Sequence, residues 1–144
     1  MDYKEDLVKA LVVAERKNPT QRIRVPIDAV PAFMRKIGSK KQEHFAVMSL
    51  NGAHEIIAVT VVTKGLVNRT LVHPREVFRE AIVKRAAAII VAHNHPSGSV
   101  QPSNDDLNVM SAVREAGDVV GIRMLDFMIV SKTGFYSALA EEEL

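Results

Sequence analysis

The sequence predicts an α+β domain in which a mixed, mainly antiparallel sheet is flanked by helices, and three observations support this. Val- and Ile-rich runs alternate with segments of helical periodicity in the order β-β-α-β-α-β-β. An Asn51-Gly52 turn separates the first two runs, the strongest short signal for an antiparallel hairpin. A hydrophobic fraction of 47% over 144 residues is enough for one core, and 25% charged residues are ordinary for a globular chain.

Residues 1–22 read as an N-terminal helical segment and 23–144 as the domain proper. Leu7, Val8, Leu11 and Val12 fall at helical spacing between Asp6 and Glu15, and Asn18-Pro19 ends that helix. Ile23 to Val30 is a short transition ending in Pro31, followed by a helix of a turn or two, Ala32 to Ile37, stopped by Gly38. Glu43 to Leu50 is apolar on both alternating faces, as expected of a strand covered on both sides. His54 to Thr63 is its antiparallel return. Pro74 suits a first helical turn. Behind it Val77, Phe78, Ala81 and Ile82 form an apolar stripe, with Glu80 and Lys84 four residues apart outside it. Ala87 to Ala92 reads as a buried strand that delivers His93 at its end. Ser103 opens a helix whose Leu107, Met110 and Val113 face the core, and Gly117 is expected to stop it. Gly121 to Val130 and Phe135 to Leu139 are the last strands, around a Lys132-Thr133-Gly134 turn. The tail Glu141-Glu142-Glu143 is expected in solvent.

Composition removes several function classes. There is no cysteine, so disulfides and thiolate metal sites are excluded, and any metal must be held by His and carboxylate. Against 17 acidic residues stand 19 scattered basic ones, a net charge of +2 that gives little support to strong nucleic-acid binding. The longest apolar runs, such as Ala86 to Ala92, are too short to span a bilayer, so no membrane association is expected. The charged start Met1 to Asp6 lacks the apolar stretch of a secretory signal, which points to a cytoplasmic location. The pattern leaves the oligomeric state open.

The chemistry concentrates in His93-Asn94-His95-Pro96-Ser97-Gly98, with Ser103 eight residues beyond His95 and Asp106 three further on. Two histidines spaced by two at a strand end share one face. Asp106 would return from the first turn of the next helix, where the helix dipole favours its ionised form. Two imidazoles and a carboxylate leave a fourth position for water, the arrangement of a catalytic zinc site. Each residue also has a plainer reading. Ser103-x-x-Asp106 is a helix capping box, and a histidine at a strand end can simply be hydrogen-bonded. The combined spacing favours the metal, with Asp105 as the competing ligand. A hydrolytic site also needs a proton acceptor, and Glu43, Glu55 and Glu76 are the upstream candidates. Glu76 falls on exposed helical turns and Glu55 beside the hairpin. Glu43 opens a strand with two apolar faces, which puts it modestly ahead. His44 would point away from Glu43, and His54 and His73 read as surface or hydrogen-bonded residues. Ser97 is a candidate neighbour of the metal.

Thr70 to Ile82, Ala86 to Gly98, Pro102 to Asp106 and Gly121 to Asp126 together resemble the RadC-type members of the MPN/JAMM metalloprotein superfamily. The resemblance runs from about Ile23 to the C-terminus and implies an MPN/JAB-like domain. It implies a JAMM site with Zn2+ on His93, His95 and Asp106, Glu43 as the catalytic acid, and Ser103 stabilising the oxyanion. The implied activity is that of a zinc metalloprotease, a hydrolase acting on a peptide, protein or isopeptide substrate. Two departures stand out. Residues 1–22 do not resemble the helix-hairpin-helix region that usually precedes this domain, and Phe127 stands where the family usually has His. The family's label implies two alternatives, a DNA-repair-associated accessory domain and a non-catalytic MPN scaffold. The His93-Asn94-His95 string matches HNH nucleases in letters only, because those spread their residues over a longer unit.

Overall fold

The computed structural model describes residues 4–10, 22–68 and 71–144. Residues 4–10 are helical and bury Val8; Leu11, Val12, Glu15 and the Asn18-Pro19 stop lie outside the described residues. A 3-10 turn, Pro26–Ala29, runs directly into helix α1, Val30–Ile37, so the helix begins two residues before the expected Ala32. Pro31 is tolerated because a first-turn N–H has no intrahelical acceptor to lose. Strands β1 (His44–Leu50) and β2 (Ile56–Lys64) follow, then helix α2 (Pro74–Val83) and strand β3 (Ala88–Asn94). Helix α3 (Asn104–Val120) and strands β4 (Arg123–Ser131) and β5 (Gly134–Ser137) complete the order.

The five strands form one sheet in the order β2-β1-β3-β4-β5. All neighbours are antiparallel except β3 and β4, which α3 connects in parallel. The sheet is therefore mixed and mainly antiparallel, as the sequence predicts. Every residue of β1 and β3 is buried, because helices cover both faces of the sheet and remove any reason for polar alternation. On one face Phe45, Val47, Ile89, Val91, Phe127 and Ile129 pack against α2 and α3 through Val77, Phe78, Val109 and Val113. On the other, Ala46, Met48, Leu50, Ile90, Met128 and Val130 pack against Val8 and against Val30, Phe33 and Ile37 of α1.

Four expectations are corrected. Gly117 does not stop α3: the helix runs on to Val120, and Gly121 caps it in the left-handed conformation at φ 76°. Gly117 serves packing instead, since a Cβ there would lie 2.6 Å from the Ile122 carbonyl oxygen and 3.2 Å from the Phe78 ring. Ile82 is 56% exposed, because the buried stripe of α2 is narrowed to Val77, Phe78 and Ala81. Glu80 pairs with its neighbour Arg79 at 3.1 Å rather than with Lys84, which ends the helix as its C-cap. In the acidic tail, Glu143 accepts a hydrogen bond from the Tyr136 hydroxyl at 2.8 Å, so it is not purely solvated.

Among the described residues no helix is long and apolar enough to cross a membrane. The parallel pair brings the carboxyl end of β3 beside the amino end of α3, the kind of crevice in which open α/β sheets place ligands. Gly117→Ala is expected to lower stability by about 1–3 kcal/mol through overpacking, measured by urea unfolding. Gly52→Ala, which meets nothing within 4 Å, should leave the curve unmoved. Equal behaviour of the two variants would contradict the packing role of Gly117.

Candidate metal centre

Strand β3 carries His93 on the face covered by α2 and α3, and the next residue of that parity, His95, lies just past the strand end. The His95 N–H still donates to the Val130 carbonyl at 3.1 Å, so β4 holds its backbone in line. The loop that follows is tied down at Gly98, whose carbonyl accepts from Ser131 Oγ at 3.1 Å and Thr133 Oγ1 at 2.7 Å. It leads to Ser103, the N-cap of α3. Here the capping box is real: Asp106 N–H donates to Ser103 Oγ at 3.1 Å, and Ser103 N–H donates to Asp106 Oδ2 at 2.8 Å.

The same carboxylate faces both histidines. Asp106 Oδ1 lies 3.0 Å from His93 Nε2, and Oδ2 lies 3.3 Å from His95 Nε2. One donor atom from each of the three residues falls within 4.8 Å of the others, a group that could hold a metal ion. Asp105, the competing ligand, is exposed and stays outside the group. Asp106 thus makes the capping box of the plainer reading and also faces both histidines, as the metal reading requires.

The donor atoms fit a shared cation. His95 Nδ1 lies 2.8 Å from the Ser99 carbonyl, which can only accept, so this nitrogen carries the proton and a neutral ring presents a lone pair at Nε2. That lone pair meets the Asp106 oxygen, a contact that is favourable only with a positive charge between or on them. His93 is completely buried, and neither of its ring nitrogens has a hydrogen-bond partner among the described residues, despite the 3.0 Å approach of Asp106. A buried orphan of this kind is costly in an apolar interior, and a metal at Nε2 would give one of the two ring nitrogens a partner. Burial works against ionisation of Asp106, but the adjacent His93 and His95 rings and the Ser103 N–H outweigh it and hold the carboxyl well below its usual range. The Asp106 carboxylate raises the pKa of His95 against partial burial, helped by the Ser99 carbonyl and the charge of Glu43.

Glu43 reaches the same place from β1. The Phe45–His93 pairing, continued by two residues, sets Glu43 opposite His95. Glu43 is partly buried, and its Oε2 accepts from the Val67 N–H at 3.1 Å. Glu55 and Glu76 are both exposed, Glu55 bonded to Asn51 in the hairpin turn and Glu76 beside Arg75. His44 points to the opposite face, with Nδ1 on the Gln42 carbonyl at 2.9 Å. His54 is exposed and His73 precedes α2 without capping it. Ser97 is exposed, and its Oγ accepts from the N–H of Ser99, the residue that orients His95.

Three contributors escape the pattern reading. Asn94 is fully buried between the histidines and points the other way. Its Oδ1 accepts from His44 N–H at 2.6 Å, and its Nδ2 donates to the carbonyls of Gln42 at 2.9 Å and Lys40 at 3.2 Å. It therefore rivets the chain on both sides of Glu43 to the strand that carries the histidines. A buried amide flanked by two histidines at a strand end is the signal that could have found it. Phe127 packs edge-on to His93 at 5.8 Å between centroids and forms an apolar wall. The Ser99 carbonyl carries no sequence signal, since any residue has one.

Comparison with known proteins follows this geometry. The family described as RadC-like JAB domain matches residues 23–144. A UPF0758 protein of Rubrobacter xylanophilus is 41% identical over 136 residues, covering 91% of this chain and 60% of that protein. One from Clostridium acetobutylicum is 42% identical over 123 residues, covering 85% and 53% respectively. One from Methanospirillum hungatei is 53% identical over 96 residues, covering 67% and 43%. The chain spans about half the length of the curated relatives it matches.

Asn94→Ala leaves the buried His44 N–H without its partner and removes the bonds to the Lys40 and Gln42 carbonyls, of which the Gln42 carbonyl keeps His44 Nδ1; a buried donor so stranded costs about 1–3 kcal/mol. Urea unfolding should show that loss, and a shift within experimental error would refute the rivet.

Proposed function

The chain belongs to the RadC-like JAB domain family, and on that premise we propose that it is a zinc-dependent hydrolase of amide bonds, with a peptide or isopeptide as substrate. The reading is carried by one observation: His93, His95 and Asp106 converge on a common point while Glu43 lies across the strand from His95. Zinc suits this donor set of two imidazoles and one carboxylate with no sulfur. A zinc ion held by His93, His95 and Asp106 would supply Lewis acidity, bringing a water's pKa towards neutrality and polarising the scissile carbonyl.

The protein residues then have distinct tasks. Glu43 accepts the proton of the attacking water and passes it to the departing amine. Its Oε2 is fixed by the Val67 N–H, which leaves Oε1 for this exchange. Ser103 Oγ already accepts the Asp106 N–H, so its own hydrogen is available to donate to the carbonyl oxygen as charge develops there. Asp106, His93 and His95 hold the ion, and the Ser99 carbonyl keeps His95 in the ligating tautomer. Phe127 keeps the His93 side dry, which strengthens the electrostatics.

Two measurements check this reading. Metal analysis of protein dialysed against zinc should give one equivalent per chain. His93→Ala and Asp106→Asn should lose it and Asp105→Asn should retain it; full occupancy in Asp106→Asn would refute the ligand set. Glu43→Gln should keep the metal yet lose about 10²–10⁴-fold in amide hydrolysis, the usual worth of a positioned proton carrier. Unchanged turnover of a peptide substrate in that variant would remove Glu43 from the mechanism.

A further inference from the structure

A second site lies at the opposite pole of the sheet. A cleft of about 640 Å³ opens where β4 begins, with Arg24, Arg114, Arg123 and His54 among its lining residues. From Ala88, the β3 partner of Arg123, to His93 is five residues, or about 17 Å of strand. The metal centre and this cleft are therefore separate.

We propose that this cleft binds a small molecule through its phosphoryl groups. The basic residues come from separate, fixed parts of the fold. Arg123 begins β4 and is paired with Ala88. Arg114 lies on α3. Arg24 precedes the 3-10 turn, its N–H held by Asp28 Oδ2 at 2.8 Å, and its neighbour Ile23 donates to the His54 carbonyl at 2.8 Å. Segment 22–24 is thereby pinned to the 51–55 turn, and Arg22 forms a bridge with Glu55 there. Among the described residues none of the guanidinium groups of Arg24, Arg114 and Arg123 makes an ion pair, whereas Arg75 and Arg79 do. With a net charge of only +2, such a cluster is not a by-product of a basic chain.

Two acidic side chains also line the cleft, and among the described residues neither forms an ion pair with its arginines. Asp118 is an exposed member of the lining. Asp126 is buried, and its oxygens already accept from Ser137 Oγ, Phe127 N–H and Leu139 N–H. Arginines from three elements lining one cleft match an anion that has several acceptor oxygens and more than one charge, which is the chemistry of a phosphoryl group. Val25 and Leu139, both about half exposed, and Leu125 add apolar surface for the rest of the ligand. The volume is that of a small-molecule site. No Phe, Tyr or Trp lines the cleft, so it lacks the stacking platform on which single-stranded nucleic acid is held.

The test is isothermal titration of the full chain with inorganic pyrophosphate, with a nucleoside diphosphate, and with a short single-stranded oligonucleotide at physiological salt. Pyrophosphate and the diphosphate should bind. Arg114→Ala and Arg123→Ala should each weaken them by about tenfold, the order expected for a lost charge-assisted contact. Both side chains are exposed, so the folds of these variants should survive, checked by circular dichroism. Binding should persist in Asp106→Asn, which separates this cleft from phosphate captured at the metal centre. Loss of binding in Asp106→Asn, indifference to the arginine variants, no binding by either phosphate compound, or tighter binding of the oligonucleotide would each overturn the proposal.

Discussion

One carboxylate joins the two halves of the metal centre. Asp106 closes the amino end of α3 by accepting the Ser103 N–H, and it also faces the imidazoles of His93 and His95. The parallel strands β3 and β4 make this possible, because the connection between them must cross the sheet and α3 is that crossover. A helix that starts beside the strand end brings its positive pole to an anion, and here the anion is its own third residue. The helix position and the ligand position are thus one constraint. Displacing α3 along the sheet would uncap the helix and open the metal site together.

Much of this was legible because short-range chemistry sets it. Asn51-Gly52 specified the β1–β2 hairpin, and the apolar runs specified two strands buried on both faces. The spacing from His95 to Asp106 encodes a loop and a first helical turn, so three candidate ligands could be read from fourteen consecutive positions. Asp106 over Asp105 follows from the capping box, in which the N3 side chain folds back to the N-cap while its neighbour points outward. Glu43 was harder to read. Its place depends on the register between β1 and β3, strands far apart in sequence, and pattern alone could rank it above Glu55 and Glu76 but not place it opposite His95.

The misreadings share a physical origin. Gly117 looks like a helix stop, and locally nothing distinguishes it from Gly121. The difference is tertiary: the Ile122 carbonyl and the Phe78 ring leave no room for a Cβ at 117, whereas 121 adopts a positive φ in open space. Ile82 continues an apolar stripe of which only Val77, Phe78 and Ala81 are buried. Asn94 was passed over between two conspicuous histidines because alternation turns it away from them. Yet it is the residue that fastens the chain around Glu43 to their strand.

The parallel pair also has a second consequence. Where β3 ends, a helix begins, and its amino end favours the ionised Asp106 that faces the two histidines. Where β4 begins, α3 has just ended at Gly121, and the strand opens with Arg123 beside Arg114 of that helix. Arg114 lies about two turns before the end of α3 and Arg123 just beyond Gly121, so the helix end and the strand start bring both to one cleft. The same crossover therefore carries the acid of the candidate metal site at one pole of the sheet and the arginines of the proposed anion cleft towards the other. Replacing Asp106 by a cation would set a positive charge against the amino end of α3 and remove the bond that caps it, so the helix cap and the candidate site would be lost together.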